Sequence, residues 1–571
     1  MMSKNVWKVV AAGALSAAVL TMGLAGYHGV SQHNMSQGIA AYTALAASSP
    51  RVGGTAYFLD PPNSPFVHNF NPFSPSDSAI SFGVAEIYES LLYVDIYTGA
   101  IKPDLATSYQ WVNNHSGLVF NLRHGVKWSN GTPFTANDVA FTFNMILSHP
   151  AIDLNALHGV IKSVKVINPY KVQINLASPN NTDLYYIAGD TPIVPQAIWS
   201  KIKNPATYSD PHPVTTGPFL VGSVNPNQMV LKRNPHYWDS PKPYLDKVIG
   251  VTYLSNNSAT LAMIKGQFTL SGGTIPNINQ VLIARNPKDY HWWNASIGIN
   301  ALYVNNAVYP FSIPALRWAM SDVINRPQLA KIGEYGQEYP VNNTGLPPTP
   351  LNQGWMDNQV AKQYPVVYSV SQAKKLLKKA GFKWNSKGQL LDPHGKVVSA
   401  RVMADAGATD WIEDANLISG DLKSLGISST VQVSSVVSSD LANGTYTLAM
   451  WYTPTGPGPY YNMNALLNTS YGAKIGQPAA GNYERFNNSA VNKLLNEYPS
   501  TFSTAAQHQI MNQLQGIFAK NLPIIPLLDF PSWDQYNTAS IVGMPTAKDP
   551  YAAVFASPFD AQYILTQMHL K

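Results

Sequence analysis

Residues 118–146 read LVFNLRHGVKWSNGTPFTANDVAFTFNMI, and the change of period inside this stretch decides the fold class. Leu118, Phe120 and Leu122 stand at alternate positions, the period of a half-buried strand. Asn130-Gly131 supplies residues that tolerate φ > 0, as a tight turn requires. Thr135 with Asp138 three positions later has capping-box spacing, so the spacing predicts a helix from there. A hairpin that feeds a helix is the expected local structure.

The same alternation of strand and helix extends in both directions. Gly54 to Leu59 (GTAYFL) reads as a strand, and Ile80 to Tyr93 carries Val84, Ile87, Leu91 and Leu92 at helical spacing. Thr216 to Tyr237 contains PFLVGSV, a turn at Asn225-Pro226-Asn227, then QMVLKR, ending in Tyr237-Trp238. Ser371 to Ala380 (SQAKKLLKKA) is a helix stopped by Gly381, and Ser503 to Lys520 is a second, with Ile510, Leu514, Ile517 and Phe518 along one face. Mixed α/β architecture follows. At 571 residues the chain exceeds what one core organises, so two or more lobes are expected.

Composition excludes several classes of function. Charged residues make up 12%, against about 25% in an average domain. The 37 basic and 31 acidic residues leave +6 without a basic block, which argues against a nucleic-acid partner. The absence of cysteine removes disulfides, thiol catalysis, thiolate metal sites and a thiol for lipid attachment. The 13 histidines lack metal-ligand spacing, and Gly-x-Ser-x-Gly, His-Glu-x-x-His and the phosphate-cradling loop are all missing. The chain therefore reads as a non-enzyme without metal or other cofactor.

Lys4 and Lys8 precede the apolar run Val9 to Gly26, and Ala44-Leu45-Ala46 has the small-residue pattern of a cleavage site. Residues 1–46 are expected to be a signal peptide or an uncleaved N-terminal anchor, which places the remainder outside the cytoplasm, in a periplasm or at the cell surface.

An ordered set of segments resembles the family-5 extracytoplasmic solute-binding proteins of ABC importers: EIYESLLYVDIYTGAIKPDLATSYQW (86–111), LRHGVKWSNGTPFTANDVAFTF (122–143), TTGPFLV (215–221), RNPHYWDSPKPYLDKV (233–248), RWAMSDVINRPQLA (317–330), AKKLLKKAGF (373–382) and LKSLGISSTV (422–431). The resemblance implies the two-lobed, periplasmic-binding-protein type II-like fold with an extra subdomain and a ligand cleft between the lobes. It implies lobe I from 47–80, 214–295 and 525–571, the extra subdomain from 81–213, and lobe II from 296–524. It further implies a monomer that captures an oligopeptide, a nickel complex or an oligosaccharide and delivers it to a permease and ATPase complex. A surface receptor or peptide chaperone with the same fold and no importer is the alternative role.

The segment Trp451 to Met463, WYTPTGPGPYYNM, departs from the family. Peptide-binding members carry an aspartate shortly after this Trp, which holds the peptide's ammonium group. Here Tyr452, Thr453, Pro454 and Thr455 follow. Rings with neutral hydrogen-bonding neighbours suit a sugar, whose C–H faces stack on aromatic side chains. Aspartates common in the family are also replaced at Thr269, Asn325 and Thr447, so the missing anchor has a second explanation: a chain working in acid gains little from buried carboxylates. Peptide and sugar both remain open. The candidate ligand contacts are Trp451, Tyr452, Thr455, Tyr460 and Tyr461, with Trp411, Phe66 and Phe70, and with Tyr57 as a further aromatic near the cleft; core packing is the competing role for each ring. Trp128, Trp238 and Trp318 are assigned to core packing.

Overall fold

The computed structural model describes residues 49–59, 65–74, 82–554 and 556–571. Residues 1–46, expected to be a signal or anchor, lie outside the described residues. Arg51–Lys571 form one compact unit, built on three larger sheets.

The first sheet has seven strands in the order Tyr290–Trp293, Asp534–Asn537, Leu270–Ser271, Thr55–Leu59, Lys247–Val251, Gln228–Arg233 and Phe219–Asn225. Thr55–Leu59 is the strand expected from GTAYFL, and it runs parallel to both neighbours. The second sheet has five strands: Ser428–Ser434, Ser399–Asp405, Leu448–Tyr452, Ser296–Val304 and Ile524–Pro531. Each sheet anchors its own apolar core, one around Phe58, Leu231 and Val248 and one around Leu302, Val402 and Leu448. The molecule is thus a two-lobed α/β protein.

The opening stretch forms the heart of a third sheet. Gly117–Leu122 lies between Ala106–Val112 and Lys171–Leu176, antiparallel to both, and Ile161–Asn168 completes the four strands. The helix Ala136–Ser148 opens on the expected capping box: the Thr135 amide donates to Asp138 Oδ2 at 2.9 Å, and the Thr135 side chain accepts from the following turn. Asp138 also accepts from the Gln196 amide at 3.0 Å, which ties the helix to the segment beyond it.

Two local expectations are corrected. Gly131 takes φ +86 at the turn, but the turn closes only the isolated bridge between Lys127 and Pro133; the strand's partners are Ala106–Val112, just before it, and the remote Lys171–Leu176. Residues 82–87 form turns rather than a helix, and Leu92–Val94 is a strand paired with Ile101–Pro103. The carbonyls a helix would use are taken by distant amides: Gly217 donates to Ile87, Ile193 to Glu89 and Ala106 to Leu91. Elsewhere the local signals hold. Phe219–Asn225 and Gln228–Arg233 form the expected hairpin, Ser369 caps Val370–Lys379 ahead of Gly381 at φ +89, and Ser503 caps Thr504–Asn521.

The two lobes are joined by a pair of adjacent crossings. One segment leaves the first sheet at Trp293 and enters the second at Ser296; the other leaves the second at Pro531 and enters the first at Asp534. They run side by side, since Trp293 pairs with Asp534 and Ser296 with Pro531. The return crossing therefore lies after Pro531. A two-segment link of this kind lets lobes rotate about one line with few contacts to break. Among the described residues no helix is long and apolar enough to cross a membrane.

Candidate ligand-binding site

Trp451 and Tyr452 end the strand Leu448–Tyr452, paired with Ala301 and Asn300, while Pro459–Leu467 is a helix. Aromatic residues suit a strand flanked on both sides, and Pro459 following Gly458 at φ +150 starts a helix without needing its own N–H. The true loop is the short Thr-Pro-Gly segment between them.

The strand end carries a group of four rings. Trp451 and Tyr452 stack at 5.3 Å, Tyr452 and Phe530 at 4.8 Å with a 10° interplanar angle, and Trp411 meets Trp451 with its edge at 5.7 Å. Tyr452 is 38% exposed and Trp411 only 8%. The outer rings thus rest on a buried one. Phe530, from the strand Ile524–Pro531, escaped the sequence reading because its neighbours look like uniform core.

Three residues on from Tyr452, Thr455 donates through Oγ1 to the Ala556 carbonyl at 3.2 Å and lines a small cavity with Tyr97, Ile297, Thr349, Asn352 and Asn462. Tyr461 donates to the Thr182 carbonyl at 2.5 Å and meets Tyr185 and Tyr186 edge-on, so it joins the second lobe to the extra four-stranded region. Tyr460 is 8% exposed and stacks on Tyr498 at 4.9 Å within the second lobe's core. Phe66 and Phe70 are corrected: both are buried in the first lobe's core, Phe66 against Phe82. Tyr57 is 41% exposed. Trp128 is fully buried as expected, while the Trp238 indole is half-buried, donating to Glu89 at 2.8 Å under the Arg123 guanidinium, and the half-buried Trp318 indole donates to the Lys520 carbonyl.

The residues at the replaced aspartate positions have structural duties. Thr269 Oγ1 accepts from the Tyr57 amide at 3.0 Å, Asn325 caps Arg326–Gln328, and the Thr447 carbonyl accepts from the Asn305 amide. Yet buried carboxyls are not scarce in this chain. Glu334, Glu338, Asp410, Asp414 and Asp529 are all buried in the second lobe. Burial pushes Asp414 up to about 8 and Asp529 up to about 6, and raises Glu334, Glu338 and Asp410, with mutual repulsion adding to the effect on Glu334, Glu338 and Asp414. The sequence reading missed this group. Its one visible signal is that Asp410 and Asp414 stand four apart on the helix Thr409–Lys423, hence on one face. Among the described residues no group of His, Cys, Asp and Glu is placed to hold a metal ion.

A family model described as "Bacterial extracellular solute-binding proteins, family 5 Middle" matches residues 100–474. The chain belongs to this family. Members of family 5 are extracytoplasmic, non-enzymatic binding proteins of ABC importers. This family-5 chain is 28% identical over 344 residues to the glutathione-binding protein GsiB of Escherichia coli, covering 59% of this chain and 64% of that relative's length. It is 25% identical to the peptide transport periplasmic protein SapA of Haemophilus influenzae over 46% of this chain and 54% of that one. Among solved structures, a mannohexaose-bound periplasmic oligopeptide-binding protein of Thermotoga maritima is similar at 26% identity and a TM-score of 0.83, over 90% of this chain and 98% of that chain. An oligopeptide-binding protein of Bacillus subtilis in complex with a nonapeptide shares the fold, with a TM-score of 0.77 at 19% identity.

Proposed function

We propose that this family-5 protein is the capturing component of an ABC importer, that its cargo is an oligosaccharide held between the lobes, and that closure presents the loaded protein to a permease and its ATPase. The observation that carries the reading is the exposed Tyr452 ring, backed by Phe530 and Trp451 and followed by a Thr-Pro-Gly loop without a carboxylate. A sugar C–H face stacks on such a ring, and neutral groups such as Thr455, Thr349, Asn352 and Asn462 meet hydroxyls. The Thermotoga relative with mannohexaose supports the same class of ligand.

Oligopeptide cargo is the second reading. It is favoured by the names of the relatives, among them a glutathione-binding protein and a peptide transport protein. Trp451, Tyr452, Thr455 and Tyr461 are the side chains assigned to the ligand or to closure upon it, with Trp411 and Tyr460 behind them. We assign lobe I to 47–80, 214–295 and the tail after Pro531, lobe II to 296–531, and the extra subdomain to 81–213. The protein acts as a monomer outside the cytoplasm, exported by the basic and apolar segment at its N-terminus or held by it as an uncleaved anchor, and without cysteine it has no thiol for lipid attachment.

Thermal unfolding of the purified protein with separate panels of oligosaccharides and short peptides tests the reading. A ligand at a hundred times its Kd adds about 2.7 kcal/mol to a protein that binds it only when folded. Stabilisation by sugars supports the proposal; stabilisation by peptides alone replaces it with the second reading. Loss of uptake of the stabilising compound in a deletion strain supports the importer, and unchanged uptake points to a receptor or chaperone.

A further inference from the structure

The junction between the lobes is guarded by acids that have no base. Asp410, in the first turn of Thr409–Lys423, accepts hydrogen bonds from Thr274 Oγ1 and from Asn256 Nδ2, both on segments of the first lobe. Beside this bond, Gln337 donates to the Ile275 carbonyl at 2.8 Å. Asp410 is therefore a clasp between the lobes. Behind it stand Asp414 on the same helix and Glu334 and Glu338 on the adjoining segment, with Asp529 on the strand Ile524–Pro531 next to Glu338.

Among the described residues no cation forms an ion pair with them. The ion pairs among the described residues are Arg233–Asp246, Lys242–Asp239 and Lys571–Asp289, none of which involves this group. The titratable groups facing it are further acids, Asp405 on the neighbouring strand and Glu413 on the helix, and the Tyr335 phenol. Gly333 packs so closely that a Cβ there would lie 1.9 Å from Asp414 Oδ1, which leaves no space for a counter-ion on that side.

The group instead needs protons. With all acids ionised, both oxygens of Asp414, Oε2 of Glu334 and Oε1 of Glu338 are buried without a donor. Asn300, fully buried, gives its Nδ2 to Glu338 at 3.3 Å while its Oδ1 is left with no donor. A proton on Glu334 or Asp414 supplies the hydrogen bond between those two carboxyls. Unpaired buried charge is expensive, whereas a neutral, hydrogen-bonded carboxyl is tolerated.

We propose that closure of the two lobes is coupled to proton uptake by the carboxyl group around Asp410, so that the protein closes in acid and opens as pH rises. Opening hydrates the clasp and relieves the charge; closure requires the acids to be neutral. The raised affinity of these acids for protons agrees with the direction of this coupling. The inference concerns the lobes themselves and does not depend on which cargo the cleft takes.

Small-angle scattering of the full chain without added cargo, from pH ~4 to ~8, tests it, with far-UV circular dichroism to confirm that the protein stays folded. The expected result is a radius of gyration that rises with pH, with a midpoint between the values of about 6 for Asp529 and about 8 for Asp414. Glu334→Gln with Asp414→Asn, which imitates the protonated pair, should abolish the rise. Asp410→Asn keeps an oxygen for Thr274 and removes one acid, and should move the midpoint up by on the order of one pH unit. A radius constant across the range in the unaltered protein, or a folded variant of either kind that follows the unaltered curve, overturns the proposal.

Discussion

Asp410 and Trp411 are consecutive residues in the first turn of one helix, yet they belong to regions held together in opposite ways. Trp411 supports the rings of Trp451, Tyr452 and Phe530, whose burial is favourable at any pH. Asp410 heads a group of carboxyls whose burial is tolerable only while they carry protons. One half of the helix start is indifferent to acid and the other is conditional on it. Burial alone therefore says little about stability until the charge state of what is buried is known.

The widest separation between the two regions should appear in the pH dependence of stability. Asp414 at about 8, Asp529 at about 6 and the buried Glu484 at about 8 all bind protons more tightly folded than unfolded. Their contribution is complete below the unfolded carboxyl values near ~4 and is lost as pH rises through the folded ones. Thermal unfolding should be highest near pH ~4 and fall by pH ~8, a loss on the order of several kcal/mol given about 1.4 kcal/mol for each pKa unit. A melting temperature that climbs steadily over that range would break the comparison.

Next in size, Trp411→Ala should cost about 3–5 kcal/mol, and the same amount at both pH values, because it removes apolar packing. Urea unfolding at the two pH values checks this, and a cost confined to one of them would show that the ring serves the acids. Tyr461→Phe removes the bond to the Thr182 carbonyl and should cost about 1 kcal/mol. Tyr452→Ala should also cost on the order of 1 kcal/mol, because the part-exposed ring stacks on Phe530 and Trp451. If it also abolishes stabilisation by the cargo in the thermal assay, Tyr452 belongs to the ligand; unchanged stabilisation removes it from the site.

Local signals in the chain were reliable where the local structure is self-contained. The capping box at Thr135 and Asp138, the turn between Phe219–Asn225 and Gln228–Arg233, and the Gly381 stop each need only neighbouring residues, and each is present. The helix expected over 80–93 failed because distant amides claim its carbonyls, a competition no local window contains. The candidate site was legible by halves. Trp451 and Tyr452 stand out as adjacent rings, but Phe66 and Phe70 are equally aromatic and are core, since only the fold decides which face of an aromatic residue meets a cleft.

The carboxyl group marks the same boundary more sharply. Few acids in the chain, and replacement of three familiar aspartates, read as a protein that avoids buried carboxyls. Yet five of the acids that remain are buried together near the lobe junction, from positions as far apart as 334 and 529. By itself the sequence determined the α/β class, the family, the absence of thiol chemistry and the neutral loop after Trp451, because each depends on residue type and local order. The tertiary structure alone decided which rings face outward and which acids lie together, because both depend on contacts between segments distant in the chain, such as the Thr274 and Asp410 pair.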